Sequence, residues 1–322
     1  MLTRLTKRAR LPLFRKPYLL VKKMTINVLK WVKFVDKETI YFEGGLGSQL
    51  FSYLEFLRRV NATQSVLDQE SEVLNHGPRC NLKYFQRPIG YEKNGLRIGP
   101  WLLDSYGVTM ESMKVFEAEP RRGIKRLRSL SNILPSTSLS TARMYRDYFR
   151  PKIDLVRFVE ESIRLDYSVI ASAANEFDCC SVHIRRGDFM AVASHIVSDF
   201  EYLSLLTSIK KVLPRHLVIF SDSKLSEKFK FTLTRGFPNI EIRFCDDSEM
   251  DVIGSHEFMR RSKVLVTGNS MFSISAGMLT LCESLVFVPV SLYDEVGTGD
   301  SANPFLPLGK FFVLNLSTPE LP

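Results

Sequence analysis

The sequence predicts an α/β fold with a parallel sheet in its C-terminal half. The chain has 322 residues, of which 45% are apolar, and this is enough to bury the cores of two domains. After residue 180, short apolar runs alternate with segments of helical periodicity. That alternation is typical of βαβ units, whose strands run parallel within one sheet.

The N-terminal part begins with a strand, a glycine-rich turn and a helix. Residues 39–42 predict the strand, residues 43–47 the turn, and apolar residues at helical spacing from Leu50 to Val60 the helix. Such a turn lets a ligand approach the backbone and the unpaired amides of the helix start. Leu50 stands where the dinucleotide-binding fingerprint has its third glycine. Taken alone, the turn therefore favours a sharp bend over a ligand site.

A weaker pattern follows from about residue 65 to residue 150. Frequent prolines, a basic run at 121–128 and a Ser/Thr-rich segment at 129–141 favour a solvated surface loop. Pro151 then predicts the start of a helix that continues to Ile163. We place the domain boundary here. It divides the chain into a basic leader at 1–37, an N-terminal α/β domain at 38–150 and a C-terminal Rossmann-like domain at 151–322.

The C-terminal pattern assigns alternating strands and helices. Strands are expected at 182–184, 217–220, 240–244, 264–267 and 285–288, and helices at 200–213, 224–235, 251–262 and 271–282. In open sheets of this kind, ligands bind in the crevice beyond the carboxyl ends of the strands. The residues that follow each strand are therefore the first candidates for a site.

The densest polar cluster follows the first of these strands. Residues 179–188 begin as an apolar run and end in His183, Arg185, Arg186, Gly187 and Asp188. Two adjacent guanidinium groups at a strand end predict an anionic ligand, and phosphate matches their planar donor fork. A surface ion pair between Arg185 and Asp188 is the alternative, and this cluster alone does not decide between them.

Two further strands also end in polar residues. Asp222 follows the second strand, and Asn269, Ser270 and Ser273 lie where the fourth strand leads into its helix. The hydroxyls and backbone amides of that helix start are expected to face the same crevice as Arg185. Helix capping explains each of these residues singly. Three polar strand ends at one edge of a sheet favour a binding site.

Most of the net charge of +9 comes from the N-terminus. The first 37 residues hold eleven basic side chains and one acidic side chain, so the rest of the chain is close to neutral. This argues against general binding of nucleic acid. No apolar run in the leader approaches the roughly 20 residues that cross a bilayer, and no cleavage pattern of a signal peptide follows. Its mixture of basic and apolar residues favours an amphipathic segment on an anionic membrane surface, with a solvated leader as the alternative.

The cysteines and acidic residues do not indicate a metal. The five cysteines lack paired metal-ligand spacing, and the adjacent Cys179 and Cys180 are expected on opposite faces of a strand. They are interpreted as free buried thiols in a reducing compartment. Neither Asp246-Asp247 nor the segment around Asp222 forms an Asp-x-Asp pair, which is the familiar motif for a metal bound to a diphosphate.

Four segments resemble, in order, the hallmark segments of the inverting α1,2-fucosyltransferases. They are Gly44-Gly45-Leu46-Gly47-Ser48-Gln49-Leu50-Phe51, His183-Ile184-Arg185-Arg186-Gly187-Asp188, Phe220-Ser221-Asp222 and Asn269-Ser270-Met271-Phe272-Ser273-Ile274-Ser275-Ala276. The resemblance extends from about residue 39 to residue 290, and the His-x-Arg-Arg-Gly-Asp segment is its most diagnostic piece. There are two departures from the family pattern: Ser48 replaces an Asn, and Ile274-Ser275 replaces a pair of Trp. They leave the exact linkage open.

The resemblance implies a GT-B-type architecture, in which two domains face a cleft and the C-terminal domain binds GDP-fucose. It also implies metal-independent transfer of L-fucose, with inversion, to a galactosyl hydroxyl of a glycan, expected at O-2. GDP-fucose is then the donor substrate, and no cofactor is expected. The catalytic candidates are Arg185, for the β-phosphate, and Asp188, as general base. The donor-binding candidates are His183, Arg185, Arg186, Asp222, Asn269, Ser270, Phe272, Ser273, Gly45, Gly47 and Gln49.

Two other classes of function stay open at this stage, and both rank behind the transferase. Ser48 and the missing Trp pair are consistent with a nucleotide-binding protein that has lost catalysis, and the basic leader is consistent with a nucleic-acid-binding protein. Without a recognisable anchor, we expect a cytoplasmic enzyme, peripheral at the inner membrane. A eukaryotic member would be expected in the Golgi membrane. The acceptor glycan and the oligomeric state are not predicted.

Overall fold

The computed structural model describes residues 39–42, 44–67, 81–84, 101–109, 116–117, 142, 146–173, 175–186, 196–246, 250–289, 305–308 and 311–314. Residues Ile40–Pro322 group into one compact unit. The leader at 1–37 lies outside the described residues, as do Gly187 and Asp188. The domain division near residue 150 stays a prediction.

The described strands form two sheets. They are β1 (Thr39–Phe42), β2 (Asn81–Tyr84), β3 (Phe116–Glu117), β4 (Ala171–Ala173), β5 (Glu176–Ile184), β6 (His216–Ser221), β7 (Glu241–Cys245), β8 (Ser262–Val266), β9 (Leu285–Pro289), β10 (Phe305–Leu308) and β11 (Phe311–Leu314). The first three strands form a small sheet in the order β1-β2-β3. The other eight form a large sheet in the order β10-β11-β9-β8-β5-β6-β7, with β4 paired to β5.

The centre of the large sheet is parallel. Strand β5 pairs in parallel with both β6 and β8, and the parallel pairing continues to β7 on one side and to β9 on the other. Strands β10 and β11 extend the β9 edge in antiparallel fashion. The predicted α/β class and the parallel C-terminal sheet are confirmed, and all five predicted C-terminal strands are present with bounds shifted by a few residues.

Helices connect and cover these strands. They are α1 (Leu46–Leu67), α2 (Leu155–Arg157), α3 (Tyr167–Ile170), α4 (Asp199–Ser208), α5 (Glu227–Gly236), α6 (Val252–Arg261) and α7 (Met271–Met278). Side-chain caps fix the starts of the connecting helices, as expected for Ser and Asp at these positions. Ser198 forms a capping box with Glu201, Ser226 accepts from the Phe229 amide, and Asp251 accepts from the Gly254 amide.

The helix expected from Pro151 begins later than predicted. Asp154 is its cap, accepting a hydrogen bond from the Arg157 amide at 3.1 Å. Helix α2 then passes into a π-helical turn at Phe158–Ile163, which ends at Arg164 with φ of 63°. The side-chain cap therefore sets the start of this helix, and Pro151 precedes it in irregular backbone.

Two buried cores lie on opposite faces of the large sheet. Helices α4 and α5 supply Tyr202 and Phe229 to one core, while α1, α6 and α7 contribute to the other. Cys179 belongs to one core and Cys180 to the other, as the alternation of side chains along a strand predicts. Cys179, Cys180, Cys245 and Cys282 are free thiols. The first three are buried, as expected, whereas Cys282 is partly exposed, and Cys80 lies outside the described residues.

None of the helices in the described ranges is both long and apolar enough to cross a membrane.

Candidate active site

The polar strand ends of the large sheet meet at one edge. In the pairing of the strands, Ile184 of β5 lies opposite Ser221 of β6, and Val182 of β5 lies opposite Val266 of β8. The residues that follow β5, β6 and β8 therefore emerge side by side. The structure thus brings together three of the four segments that carry the family resemblance.

Asp222 fixes the end of β5 through two contacts. Its Oδ2 atom lies 2.8 Å from Nη1 of Arg185, and its Oδ1 atom accepts a hydrogen bond from the Arg186 amide at 2.7 Å. About a quarter of the Arg185 side chain remains exposed, 28%, so the guanidinium is both anchored and accessible. The sequence left open an ion pair of Arg185 with Asp188. Within the described residues Arg185 pairs with Asp222, whereas Asp188 lies outside them, so that alternative stays open.

Arg186 has different surroundings from Arg185. Its guanidinium donates to the Val197 carbonyl and to the Asp199 carboxylate, each at 2.6 Å, and its side chain is only 15% exposed. The guanidinium carbon also lies 6.0 Å from the centre of the Tyr202 ring. These contacts hold the start of α4 against the end of β5. The described contacts of Arg186 are thus made within the protein, and its role in donor binding stays a prediction.

His183 is buried beside the site and carries no charge. Burial is the main cause that lowers its pKa to about 3, and the positive charge of Arg185 lowers that pKa further. Its carbonyl accepts a hydrogen bond from the Tyr202 hydroxyl at 3.1 Å. Its Nδ1 atom has no hydrogen-bond partner among the described residues. Within the described residues, hydrogen bonding therefore holds His183 through its backbone carbonyl and not through Nδ1.

Gly268 allows the loop after β8 to contact the end of β5. A Cβ atom at this position would lie 2.8 Å from the His183 carbonyl oxygen, 3.2 Å from His183 Nδ1 and 3.3 Å from the Arg185 amide nitrogen. Real Cβ atoms do not approach a carbonyl oxygen so closely, so a side chain here would force the two segments apart. The sequence signal was present as a glycine after a buried strand.

The loop from Gly268 into α7 is stabilised by its own hydroxyl groups. Ser270 caps the helix, accepting from the Phe272 amide, and Ser273 accepts from the Gly268 amide at 3.1 Å. Ser273 is fully buried, while Asn269 and Ser270 are 5% and 7% exposed. The capping interpretation is therefore correct for Ser270. Ser273 holds the shape of the loop that packs against Arg185.

The glycine-rich turn reaches the same place through backbone contact. A Cβ atom on Gly47 would lie 2.3 Å from the carbonyl carbon of Met271 and 2.4 Å from the amide nitrogen of Phe272. The first turns of α1 and α7 therefore touch. The glycine-rich segment at 44–51 is thus brought to the three resembling segments that follow β5, β6 and β8. Gly45 is exposed, and a Cβ there would meet nothing within 4 Å.

Gln49 holds the glycine-rich turn from inside the protein. Its side chain is fully buried, donates to the Gly44 carbonyl at 2.9 Å and accepts from the Leu102 amide at 2.9 Å. Gly44 itself has φ of 73°, a conformation that favours glycine. The side chain of Gln49 thus stabilises the turn, and its role in donor binding stays a prediction.

A buried chain of hydrogen bonds behind α7 was not predicted from the sequence. The Tyr106 hydroxyl lies 2.7 Å from Nδ1 of His256, whose Nε2 lies 2.9 Å from the Ser275 hydroxyl. Ser275 in turn donates to the Phe272 carbonyl at 2.8 Å. Ser275 occupies one of the two positions where the family shows Trp. A small hydroxyl-bearing residue fits there because His256 fills the neighbouring space and needs a polar partner.

A buried ion pair supports the other end of α7. Arg260 is fully buried, pairs with Glu257 at 2.7 Å and donates to the carbonyl oxygens of Leu279, Phe149 and Arg146 at 2.8 to 2.9 Å. These bonds tie the end of α7 and the segment at 146–149 to α6. The Glu-x-x-Arg spacing was visible in the sequence, but helical charges at that spacing usually lie on the surface.

No group of three or more His, Cys, Asp and Glu side chains within the described ranges is placed to hold a metal ion. In the adjacent pair Asp246-Asp247, Asp246 forms an ion pair with Lys230 at 2.8 Å. Asp247 lies outside the described residues.

Comparison with known proteins gives weak similarity only. No protein-family model and no curated protein matches the chain. Among solved structures, it is similar to POFUT1 in complex with GDP, at 13% identity and a TM-score of 0.40, over 75% of this chain and 94% of that chain. It is also similar to POFUT1 in complex with GDP-fucose, at 13% identity and a TM-score of 0.40, over 76% and 95% of the two chains. Identity and TM-score this low assign neither an activity nor a ligand to this chain.

Proposed function

We propose that this chain is a glycosyltransferase that moves L-fucose from GDP-fucose to O-2 of a galactosyl residue, with inversion and without a metal. One observation carries the proposal. The four segments that resemble the α1,2-fucosyltransferases are separated by up to about 220 residues in the sequence, yet they meet at one edge of the parallel sheet. Chance similarity in four short segments would not require them to be neighbours.

Arg185 is proposed to bind the β-phosphate of the donor. Its guanidinium is held by Asp222 at 2.8 Å and remains 28% exposed, so it is oriented before a ligand arrives. The start of α7 lies beside it through Gly268 and adds the partial positive charge of a helix N-terminus. A pre-oriented cation and helix dipole stabilise the charge that develops on a leaving diphosphate.

The reaction balances without a cofactor. The acceptor hydroxyl oxygen attacks the anomeric carbon of fucose while the bond from that carbon to the β-phosphate oxygen breaks. The electron pair of the broken bond remains on GDP, where Arg185 meets the added charge. The proton of the hydroxyl passes to a general base, for which Asp188 is proposed because it follows Arg185 by three residues in the same segment.

An acceptor panel tests this proposal. Purified protein is incubated in EDTA with GDP-fucose, GDP-mannose or UDP-galactose and a series of galactosyl glycans, and release of the nucleoside diphosphate is followed. The proposal expects acceptor-dependent release of GDP from GDP-fucose alone, with NMR of the product locating fucose on O-2. GDP binding without turnover on any acceptor would favour the non-catalytic alternative. Release that requires a divalent metal would contradict the proposed mechanism.

We propose that the enzyme works at the cytoplasmic side of an anionic membrane, against which its basic leader lies. Residues 1–37 carry eleven basic side chains interleaved with apolar ones, a composition suited to anionic surfaces. Co-sedimentation with vesicles containing phosphatidylglycerol, and not with pure phosphatidylcholine vesicles, is the expected result. Equal recovery with both vesicle types would contradict it.

A further inference from the structure

A buried hydrogen-bond chain connects the segment at 101–109 with the start of α7. It contains the Tyr106 hydroxyl, the two ring nitrogens of His256, the Ser275 hydroxyl and the Phe272 carbonyl, with successive distances of 2.7, 2.9 and 2.8 Å. His256 and Ser275 are fully buried, and Tyr106 is 3% exposed. Each buried polar atom in this chain thus has a partner, as stable buried networks require.

The donors and acceptors fit in one direction only. Ser275 has a single hydroxyl hydrogen and donates it to the Phe272 carbonyl, so its oxygen accepts from Nε2–H of His256. Nδ1 of His256 then accepts from the Tyr106 hydroxyl. This assignment requires a neutral imidazole. Burial, with the nearby charge of Arg260, lowers the pKa of His256 well below its usual value and keeps it neutral.

Phe272 is the point at which this chain reaches the candidate active site. Its ring centre lies 5.3 Å from that of His256 and 5.4 Å from that of His183. Its carbonyl is held by Ser275, and its amide bonds to Ser270, the cap of α7. His256 is therefore linked to the first turn of α7 through Ser275, and to the ring beside His183 by direct contact.

We propose that His256 is a positioning residue for the candidate active site. Through Ser275 and Phe272 it fixes the first turn of α7 at the distance from His183 and Arg185 that binds a nucleoside diphosphate. The inference rests on the proposed function, because the ligand that it concerns is the diphosphate of the donor. The inference adds His256, which lies in none of the four resembling segments and at none of the strand ends. Tyr106 is then the other end of the same hydrogen-bond chain.

Ser275→Ala and Ser262→Ala form a matched pair for the test. Both serines are fully buried, and each makes side-chain hydrogen bonds. Ser262, however, begins β8 and bonds Ser181, at the opposite end of the strand from Gly268. Both variants are expected to lower the unfolding temperature. Only Ser275→Ala should weaken GDP binding, by about tenfold, since one buried hydrogen bond typically contributes about that factor.

A double-mutant cycle measures the coupling between His256 and Ser275 in GDP binding. General destabilisation of the protein would not produce such a coupling. His256→Phe keeps the ring volume and removes both hydrogen bonds, so we expect it to weaken GDP binding about as much as Ser275→Ala. The double variant should be no weaker than either single variant, because one chain is broken in all three. A ¹⁵N-labelled wild-type protein should also show a slowly exchanging imidazole N–H resonance that disappears in His256→Phe.

The outcomes separate the inference from the proposed function. Wild-type protein that does not bind GDP overturns the proposed function and, with it, this inference. Wild-type binding that is unchanged in folded Ser275→Ala and His256→Phe variants overturns the inference alone. Equal weakening by Ser262→Ala also overturns it, because the effect would then reflect stability and not position.

Discussion

The carboxylate of Asp222 contacts both arginines of the resembling segment, at 2.8 Å from Nη1 of Arg185 and at 2.7 Å from the amide of Arg186. A side chain at the end of β6 thus sets the orientation of the residue that follows β5. This contact holds in place a guanidinium that lies outside any helix or strand. It also places the charge of Asp222 beside the guanidinium that we propose binds phosphate.

Asp222→Asn should weaken binding of the diphosphate more than binding of the nucleoside monophosphate. The amide oxygen can still accept from the Arg186 backbone, but the charged contact to Arg185 is lost. We expect the Kd of GDP to rise about tenfold and that of GMP to change little, the size expected for one charge-assisted hydrogen bond. Isothermal titration calorimetry with both nucleotides measures this. An equal loss for GMP and GDP would instead support direct contact of Asp222 with the ribose or base.

Gly47→Ala should destabilise the protein, and Gly45→Ala should not. At position 47 the new methyl group would lie 2.3 to 2.5 Å from backbone atoms of Met271 and Phe272, which cannot rotate away. At position 45 nothing lies within 4 Å. We expect a loss of about 2 kcal/mol or more for Gly47→Ala and a change within about 0.5 kcal/mol for Gly45→Ala. Urea unfolding compares them, and equal midpoints would show that α1 and α7 do not touch as described.

Arg260→Met should be strongly destabilising because three carbonyl groups lose their donor, and Glu257 loses the fully buried one of its two arginine partners and keeps only Arg261. Removing one member of a buried ion pair typically costs about 3–5 kcal/mol. Arg157→Met is the matched control, since Arg157 pairs with Glu161 on the surface, where both side chains are more than 60% exposed. The unfolding midpoint of the control should stay that of the wild type. A wild-type midpoint for Arg260→Met would contradict the buried network.

Acidification from pH 7 to pH 5 should destabilise the protein through His183. Its pKa is lowered from 6.5 to about 3 in the folded state, so the unfolded chain binds the proton first and folding loses stability as pH falls below 6.5. For one such histidine the loss at pH 5 is about 2 kcal/mol. His183→Gln should show a smaller loss in urea unfolding at the two pH values. The same pH dependence in wild type and variant would contradict the assignment.

The sequence was sufficient for the parts of the molecule that depend on local pattern. Apolar runs and helical periodicity located β5 to β9, and polar residues after them identified the edge at which Arg185, Asp222 and Gly268 meet. The sequence did not show which acidic side chain would pair with Arg185. The ion pair of Arg185 with Asp222, 37 residues later, depends on the parallel pairing of β5 with β6, which no local pattern shows.

The hydrogen-bond chain and the buried ion pair behind α7 could not be predicted from the sequence for a different reason. Polar side chains on a helix ordinarily face solvent. On α6, however, His256, Glu257 and Arg260 are buried, and the segments at 101–109 and 146–149 contact them. Those segments carry little periodicity. Their placement depends on tertiary contacts more than 100 residues apart, which no local pattern encodes.

The most direct test of the account is calorimetric titration of GDP into wild-type protein and Arg185→Ala in the presence of EDTA. The account predicts that the wild type binds GDP without metal, and that Arg185→Ala keeps its fold, judged by circular dichroism, while losing at least about tenfold in affinity. Titration of UDP should show no comparable binding. Equal GDP affinity of the two proteins, or binding that appears only after a divalent metal is added, would contradict the claim that Arg185 binds the diphosphate.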